Sequence, residues 1–80
     1  MLYCQFISNF EIKKINYSNN GLNYALNNIK NNKPSFSTGL PLILICSSKW
    51  NYRLINGYHR LAQHILEQKK YVSVKIFYLI

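Results

Sequence analysis

The stretch from Tyr52 to Lys69 constrains the fold most, because a strand pattern, a glycine turn and a helix pattern follow one another within it. The strand pattern ends at Asn56-Gly57, and apolar residues then recur at helical spacing, namely Leu61, Ala62, Ile65 and Leu66. The first N–H groups of such a helix have no acceptor within the helix, and the helix dipole adds partial positive charge there. The sequence therefore predicts an anion-binding turn.

The candidate phosphate-binding residues are those of this turn: Gly57, Tyr58, His59 and Arg60. Gly57 lets the backbone approach a ligand closely, and the backbone N–H groups of residues 58–60 are its donors. Arg60 can hold a phosphate with two parallel hydrogen bonds, and His59 can donate to phosphate or transfer a proton. A motif this short has limited specificity, and the alternative interpretation is a structural glycine followed by solvated His and Arg side chains.

The hydrophobic patterns predict an α+β domain over residues 1–80, in which two helices pack on a small mixed β-sheet. The predicted strands are Leu2–Ile7, Pro41–Cys46, Tyr52–Ile55 and Tyr71–Ile80, while Phe10–Ile15 fits a short strand or an irregular crossing. The predicted helices are Asn20–Lys30, with Ser18 or Asn19 as N-cap, and Tyr58–Gln68. We expect Asn31–Gly39 to be a mobile loop and Pro41–Cys46 to be a central strand buried on both faces.

The charge balance favours phosphate-bearing partners. Ten Lys and Arg residues against two acidic residues give a net charge of +8, which attracts nucleotides, nucleic acid or anionic lipid headgroups. The alternative explanation is an AT-rich gene, which also accounts for the many Asn, Ile and Tyr residues. Because Glu11 and Glu67 are the only carboxylates, a metal-dependent nuclease that relies on its own ligands is disfavoured. The sequence predicts no metal site of its own.

Export and membrane insertion are not expected. No run of about 18 apolar residues is present, and Met1–Phe10 is too short and too polar for a signal peptide. The expected location is therefore the cytoplasm. Cys4 and Cys46 both lie in apolar runs and are interpreted as reduced core residues.

The order PLILIC, turn, YRLINGYHRLAQHI, lysine-rich turn and VSVKIF resembles the ParB/sulfiredoxin-like (ParB N-terminal domain-like) superfamily. That family carries a pattern like I-D-G-x-H-R-x-x-A. Ile55–Arg60 matches its first six positions except that Asn56 replaces the frequent aspartate, and the alanine, Ala62, comes one position earlier than in the pattern. The resemblance implies the ParB/sulfiredoxin-like fold and the binding of nucleotide phosphates at the Gly57–Arg60 turn. ATP, ADP and CTP are the candidate ligands that it implies, with the involvement of a metal left open.

Departures from the family pattern narrow the functions that the resemblance implies. Sulfiredoxins need a catalytic cysteine just before the His-Arg pair, where this chain has Tyr58, so sulfinic acid reductase activity is not expected. Chromosome-partition ParB proteins have a sequence like G-E-R-R at the turn and carry further domains. This chain has Gly-Tyr-His-Arg there and ends at Ile80, so a centromere-loading DNA clamp is not expected either. The amino-acid kinase branch is closer at the His-Arg turn and uses an N-terminal glutamate as general base. The candidate catalytic residues are therefore His59 and Glu11, and the alternative for Glu11 is a solvated surface carboxylate.

Three functions are compatible with these patterns. The leading hypothesis is a domain that binds a nucleotide or another phosphate-bearing ligand at the turn. The first alternative is a nucleic-acid-binding or ParB-like nuclease module, and the second is a non-catalytic interaction, toxin or immunity protein. Trp50, Tyr52 and Tyr58 are expected near the turn, where they would stack on a base or pack in the core, and the Ser47–Lys49 tip could touch phosphate. A homodimer through an exposed strand edge and a complex with another protein both remain open.

Overall fold

The computed structural model describes residues 2–31 and 40–79, and within them a five-stranded sheet and two α-helices follow one another in the predicted order. The strands are β1 (Leu2–Glu11), β2 (Ile15–Asn16), β3 (Leu42–Cys46), β4 (Tyr52–Asn56) and β5 (Tyr71–Leu79). The helices are α1 (Asn19–Asn31) and α2 (Tyr58–Leu66), and a short 3-10 helix (Ile12–Lys14) joins β1 to β2. The α+β class is confirmed. The predicted mobile loop at Asn31–Gly39 lies outside the described residues from position 32 onward.

Strand β3 occupies the centre of the sheet, whose strand order is β1-β5-β3-β4-β2. It runs parallel to β5, with Leu44 opposite Ile76, and antiparallel to β4, with Leu44 opposite Leu54. Strand β1 is antiparallel to β5, and the two-residue β2 lies parallel to β4. The predicted central position of the most apolar segment is therefore confirmed.

The core lies on one face of the sheet. Residues paired across neighbouring strands share a face, so the buried Leu42 and Leu44 lie beside Val74 and Ile76. Both helices contribute to this cluster, α2 through Leu61 and α1 through the partly buried Leu22.

The opposite face of β3 is only half covered, so the expectation of a doubly buried strand was wrong. Ile43 and Ile45 are half-buried there, beside the exposed side chains of Lys75 and Arg53. The physical reason is that α2, and the α1 that packs against it, lie on the Leu42 side.

Strand β1 is continuous, whereas the sequence predicted a break at Ser8-Asn9. A bulge accommodates these residues, because Ile7 pairs with Val74 and Phe10 pairs with Val72. The extra residue brings Ile7 and Phe10 to the same face of the sheet, although they are three positions apart.

The two cysteines differ in burial. Cys46 is a buried free thiol, as expected, but Cys4 is exposed. Its position opposite Phe77, which itself lies opposite Ile45, turns Cys4 to the face away from the helices. The predicted core position of Cys4 was therefore wrong.

The helix ends follow from local hydrogen bonds. Ser18 is the N-cap of α1, since its Oγ accepts from the Gly21 N–H at 3.3 Å and its carbonyl accepts from the Leu22 N–H at 3.0 Å. Helix α2 ends at Leu66, two residues before the predicted end, because Gln68 adopts a positive φ of 60°. The Lys69 N–H then donates to the His64 carbonyl at 3.0 Å and closes the last turn.

One-sided burial can be tested on adjacent residues of β3. We expect Leu44→Ala to lower the free energy of unfolding by about 2–5 kcal/mol, because it leaves a cavity in a fully buried layer. Ile45→Ala is the matched comparison and should cost clearly less, because that side chain is already half in solvent. Urea unfolding monitored by circular dichroism measures both values, and equal losses would contradict a core confined to one face.

Candidate functional site

Gly57 connects β4 to α2 in a conformation that other residues adopt at a cost. Its φ of 108° lies in the left-handed region, and a Cβ at this position would meet Leu42 Cδ2 at 2.9 Å. The Gly57 carbonyl accepts from the Leu61 N–H at 2.8 Å and so opens the helix, but glycine offers no side chain to cap it. The first-turn N–H groups of α2 therefore depend on acceptors other than an N-cap side chain.

The Arg60 guanidinium folds back against this turn. Its Nη2 and Nε atoms lie 3.2 Å and 3.5 Å from the point that a Gly57 Cβ would occupy. Nε is buried and has no hydrogen-bond partner among residues 2–31 and 40–79. A guanidinium thus lies beside the positive end of a helix dipole, an arrangement that an anion would stabilise.

Both carboxylates of the chain are engaged elsewhere. Glu11 forms ion pairs with Lys13 and Lys14 at 3.4 Å and 3.5 Å. Glu67 lies 3.4 Å from Lys69 Nζ. In the described part of the chain, neither carboxylate is ion-paired with Arg60.

Tyr58 uses its side chain to join the two helices. Its ring packs on α1 at Gly21, where an added Cβ would lie 2.8 Å from Tyr58 Cε1. Its hydroxyl oxygen accepts from the Ser18 N–H at 2.9 Å. Of Tyr58, only the backbone is therefore available for the predicted phosphate contact. The one sequence signal of this packing was a glycine inside a helix pattern.

His59 is oriented by α1, through a residue that sequence reasoning did not single out. Asn28 Nδ2 lies 3.2 Å from His59 Nε2. Because an amide nitrogen donates, Nε2 accepts in this contact, and a neutral ring then carries its proton on Nδ1. The only hint in the sequence was the asparagine-rich polar face of α1.

Glu11 lies far from His59, so the structure does not bring the two predicted catalytic side chains together. Glu11 lines a cavity with Ile65 and Lys69 near the end of α2, whereas His59 lies in its first turn. A nine-residue helix is roughly 13 Å long. A hydrogen bond from Lys13, together with the charges of Lys13 and Lys14, lowers the pKa of Glu11, as in a surface ion pair.

The aromatic residues of the β3–β4 hairpin also lie away from the turn. Trp50 and Tyr52 are at the start of β4, and Gly57 follows its end, roughly 16 Å away for a five-residue strand. The Tyr52 ring meets the Phe10 ring edge-on, with centroids 5.0 Å apart. The expectation that Trp50 and Tyr52 lie near the turn was therefore wrong, and of the three predicted aromatic residues Tyr58 is the one that adjoins it. The Ser47–Lys49 tip lies beside Trp50, away from the turn.

His64 is a buried histidine one helical turn beyond Arg60. It is 6% exposed, and its Nδ1 lies 3.9 Å from Glu67 Oε1 and has no hydrogen-bond partner in the described part of the chain. Burial lowers the pKa of His64, and the positive charges of Lys69 and Arg60 lower it further, while the carboxylate of Glu67 offsets part of this decrease. The ring is therefore neutral at pH 7.

The comparisons with known proteins leave the family open. No protein-family model matches the sequence, and no curated protein matches it. The resemblance to the ParB/sulfiredoxin-like superfamily therefore stays a prediction.

Within the described residues there is no group of three or more His, Cys, Asp or Glu side chains arranged to hold a metal ion. No helix in those same segments has the length and apolar character needed to cross a membrane.

The Gly57 conformation makes a substitution there informative. We expect Gly57→Ala to lower the free energy of unfolding by about 1–3 kcal/mol, because it combines left-handed strain with the contact to Leu42. Backbone strain should lower the free energy of unfolding less in Gly57→Asn than in Gly57→Ala, since asparagine tolerates this region better than alanine. Chemical denaturation of the two variants provides the measurement, and an alanine variant as stable as the parent would contradict the turn geometry.

His64 should make stability depend on pH. Because its folded pKa lies below the ordinary value of 6.5, the unfolded chain binds a proton first as the pH falls below about 6.5. The contribution of His64 to the free energy of unfolding should therefore rise with pH up to that value and stay constant above it. Urea midpoints between pH 5 and 7.5 measure the slope, which His64→Gln should flatten. The other histidine gives the matched control, His59→Gln, and an equal flattening in both variants would argue against this assignment.

Proposed function

We propose that this chain is a minimal ParB/sulfiredoxin-like domain that binds a nucleotide or another phosphate-bearing ligand at the Gly57–Arg60 turn. The observation that carries the proposal is the buried Arg60 Nε, which has no partner among the described residues and lies beside a helix that starts at a glycine. A phosphate would supply acceptors for the Arg60 guanidinium and for the first-turn N–H groups of α2. It would also neutralise the charge of the guanidinium and the partial positive charge of the helix dipole. The α+β class and the element order of the structure are compatible with that superfamily.

Each residue of the turn has a distinct role in this proposal. Gly57 allows the close approach, the first-turn N–H groups and the Arg60 guanidinium donate to phosphate oxygens, and His59 orients or protonates the phosphate. Asn28 holds the His59 ring for that task. Glu11 has no part in it because of its position near the far end of α2, which favours binding over a reaction that needs a His59–Glu11 pair.

A nucleic-acid backbone is the second candidate ligand of this turn. The observation in its favour is the net charge of +8. A duplex would contact many lysines at once, so its affinity would fall steeply with salt and depend little on one arginine. A nucleotide held by Arg60 would show the opposite dependence.

The proposal predicts that ATP, ADP or CTP raises the melting temperature of the protein. At a ligand concentration of 100 Kd the stabilisation should be about 2.7 kcal/mol. Arg60→Ala should abolish the shift, because it removes the bidentate donor, while Arg60→Lys should retain only part of it. Differential scanning fluorimetry of the three variants measures these shifts.

The other arginine of the chain provides a matched control. Arg53→Ala removes the same charge from an exposed position on β4 and should leave the nucleotide shift nearly intact. An equal loss in Arg53→Ala and Arg60→Ala would reduce the effect to general electrostatics. A short DNA duplex that binds regardless of Arg60 would favour the nucleic-acid alternative, and no shift with any of these ligands would refute phosphate binding at the turn.

A further inference from the structure

A cleft of about 570 Å³ opens beside the tip of the β3–β4 hairpin, at the end of the sheet away from Gly57. Four aromatic side chains dominate its wall: Tyr3, Trp50, Tyr52 and Tyr78. Lys49 is the charged residue in that wall, and no carboxylate is among the described residues that line it. The cleft therefore combines flat apolar rings with positive charge, a surface suited to a planar, anionic ligand.

The tyrosines of this cleft form a fixed platform. The Tyr3 and Tyr78 rings lie with centroids 5.4 Å apart at an interplanar angle of 38°. The Tyr78 hydroxyl donates to Gln5 Oε1 at 2.8 Å. Burial, and the proximity of Tyr52 and Cys46, raise the pKa of Tyr78, so the hydroxyl keeps its proton. The two rings are thus held in place by strand pairing and by a hydrogen bond.

Burial in the core does not explain why a tryptophan stands at position 50. Its side chain is 74% exposed, and its φ of 65° is unusual for a bulky residue. The turn that holds it is closed by the Asn51 N–H, which donates to the Ser48 carbonyl at 3.2 Å. Lys49 Nζ lies 5.9 Å from the centroid of the indole ring. An exposed, strained aromatic residue next to a cation is better explained by a ligand than by folding.

A second cavity of about 370 Å³ adjoins the first and shares Trp50 and Tyr52 with it. Lys13 and Lys14 line this second cavity. They share the single carboxylate of Glu11, so the three residues keep a net positive charge. Lysines consequently lie on both sides of the Trp50–Tyr52 pair.

We propose that this aromatic surface binds single-stranded nucleic acid. Bases would stack on the exposed rings, and phosphates on either side of a stacked base would contact Lys49 and the Lys13–Lys14 pair. A free nucleotide carries phosphate on one side of the base only, and a duplex hides the base faces in its own stack. The surface lies at the opposite end of β4 from Gly57, so the proposal is independent of phosphate binding at that turn.

The decisive variant is Trp50→Gly. Glycine adopts the observed backbone conformation without strain, so this variant should melt at the same temperature as the parent or higher. Its affinity for a fluorescein-labelled dT12 strand, measured by anisotropy, should fall roughly 5- to 150-fold because one stacked base loses its partner. Phe6→Ala is the matched control, since Phe6 is 61% exposed on the other face of the sheet, and it should bind like the parent. Equal losses in the two variants would overturn the proposal.

The lysines allow a second paired test. Lys49 and Lys75 each lie over an aromatic ring, at 5.9 Å from Trp50 and 5.7 Å from Phe77, but on different surfaces. Lys49→Gln should reduce the slope of log affinity against log salt by about 0.7, the value for one phosphate contact on a single strand. Lys75→Gln should change that slope less, and the reverse ranking would contradict the assignment.

Three ligand arms distinguish the sources of base and phosphate. An abasic strand of the same length tests stacking, dTMP tests a free nucleotide, and a duplex tests backbone binding alone. The proposal requires dT12 to bind more tightly than all three, and equal or tighter binding of any of them would refute it. Because Trp50 is the only tryptophan, quenching of its fluorescence by unlabelled dT12 reports contact at this surface directly.

Discussion

The pairing of β3 with a strand on each side determines where every other part of the described structure lies. Parallel pairing with β5 and antiparallel pairing with β4 turn Leu42 and Leu44 toward the helices. The same pairing brings Gly57 against Leu42 at the start of β3 and the hairpin tip to its end at Cys46. The glycine turn and the aromatic cleft are therefore opposite ends of one central strand, and either can bind a ligand without the other.

The residues predicted to bind a ligand also hold the two helices together. Helix α1 contains six asparagines and one glycine among 13 residues, a composition with low intrinsic helix propensity. Tyr58 and His59 of α2 provide it with specific contacts, to Ser18 and Gly21 on one side and to Asn28 on the other. Among the described residues of the turn, Arg60 is the one whose side chain has a buried donor without a hydrogen-bond partner. It is thus the residue whose removal best separates binding from folding.

Local patterns predicted most of the fold, because apolar periodicity reports burial within an element. They did not predict contacts across the chain, such as the pairing of Tyr3 with Tyr78, which helps form the cleft and depends on the register of two strands far apart in sequence. Helix length and strand direction separate Glu11 and Trp50 from the turn. Their residue types alone, a possible general base and a possible base-stacking ring, had suited a role there. At Gly57 and Arg60 the motif itself specified the geometry, so the candidate turn was predictable.

The distribution of charge bears on whether the net +8 reflects function or base composition. A compositional bias would scatter lysines over the surface, and Lys75 and Arg53 on the open face fit that description. Lys13, Lys14 and Lys49 instead converge on Trp50 and Tyr52, whereas Arg60 adjoins the glycine turn. The positive charge therefore supports a polyanion at the aromatic surface more strongly than a ligand at the turn. At the turn, the geometry of one guanidinium and one helix end favours an anion.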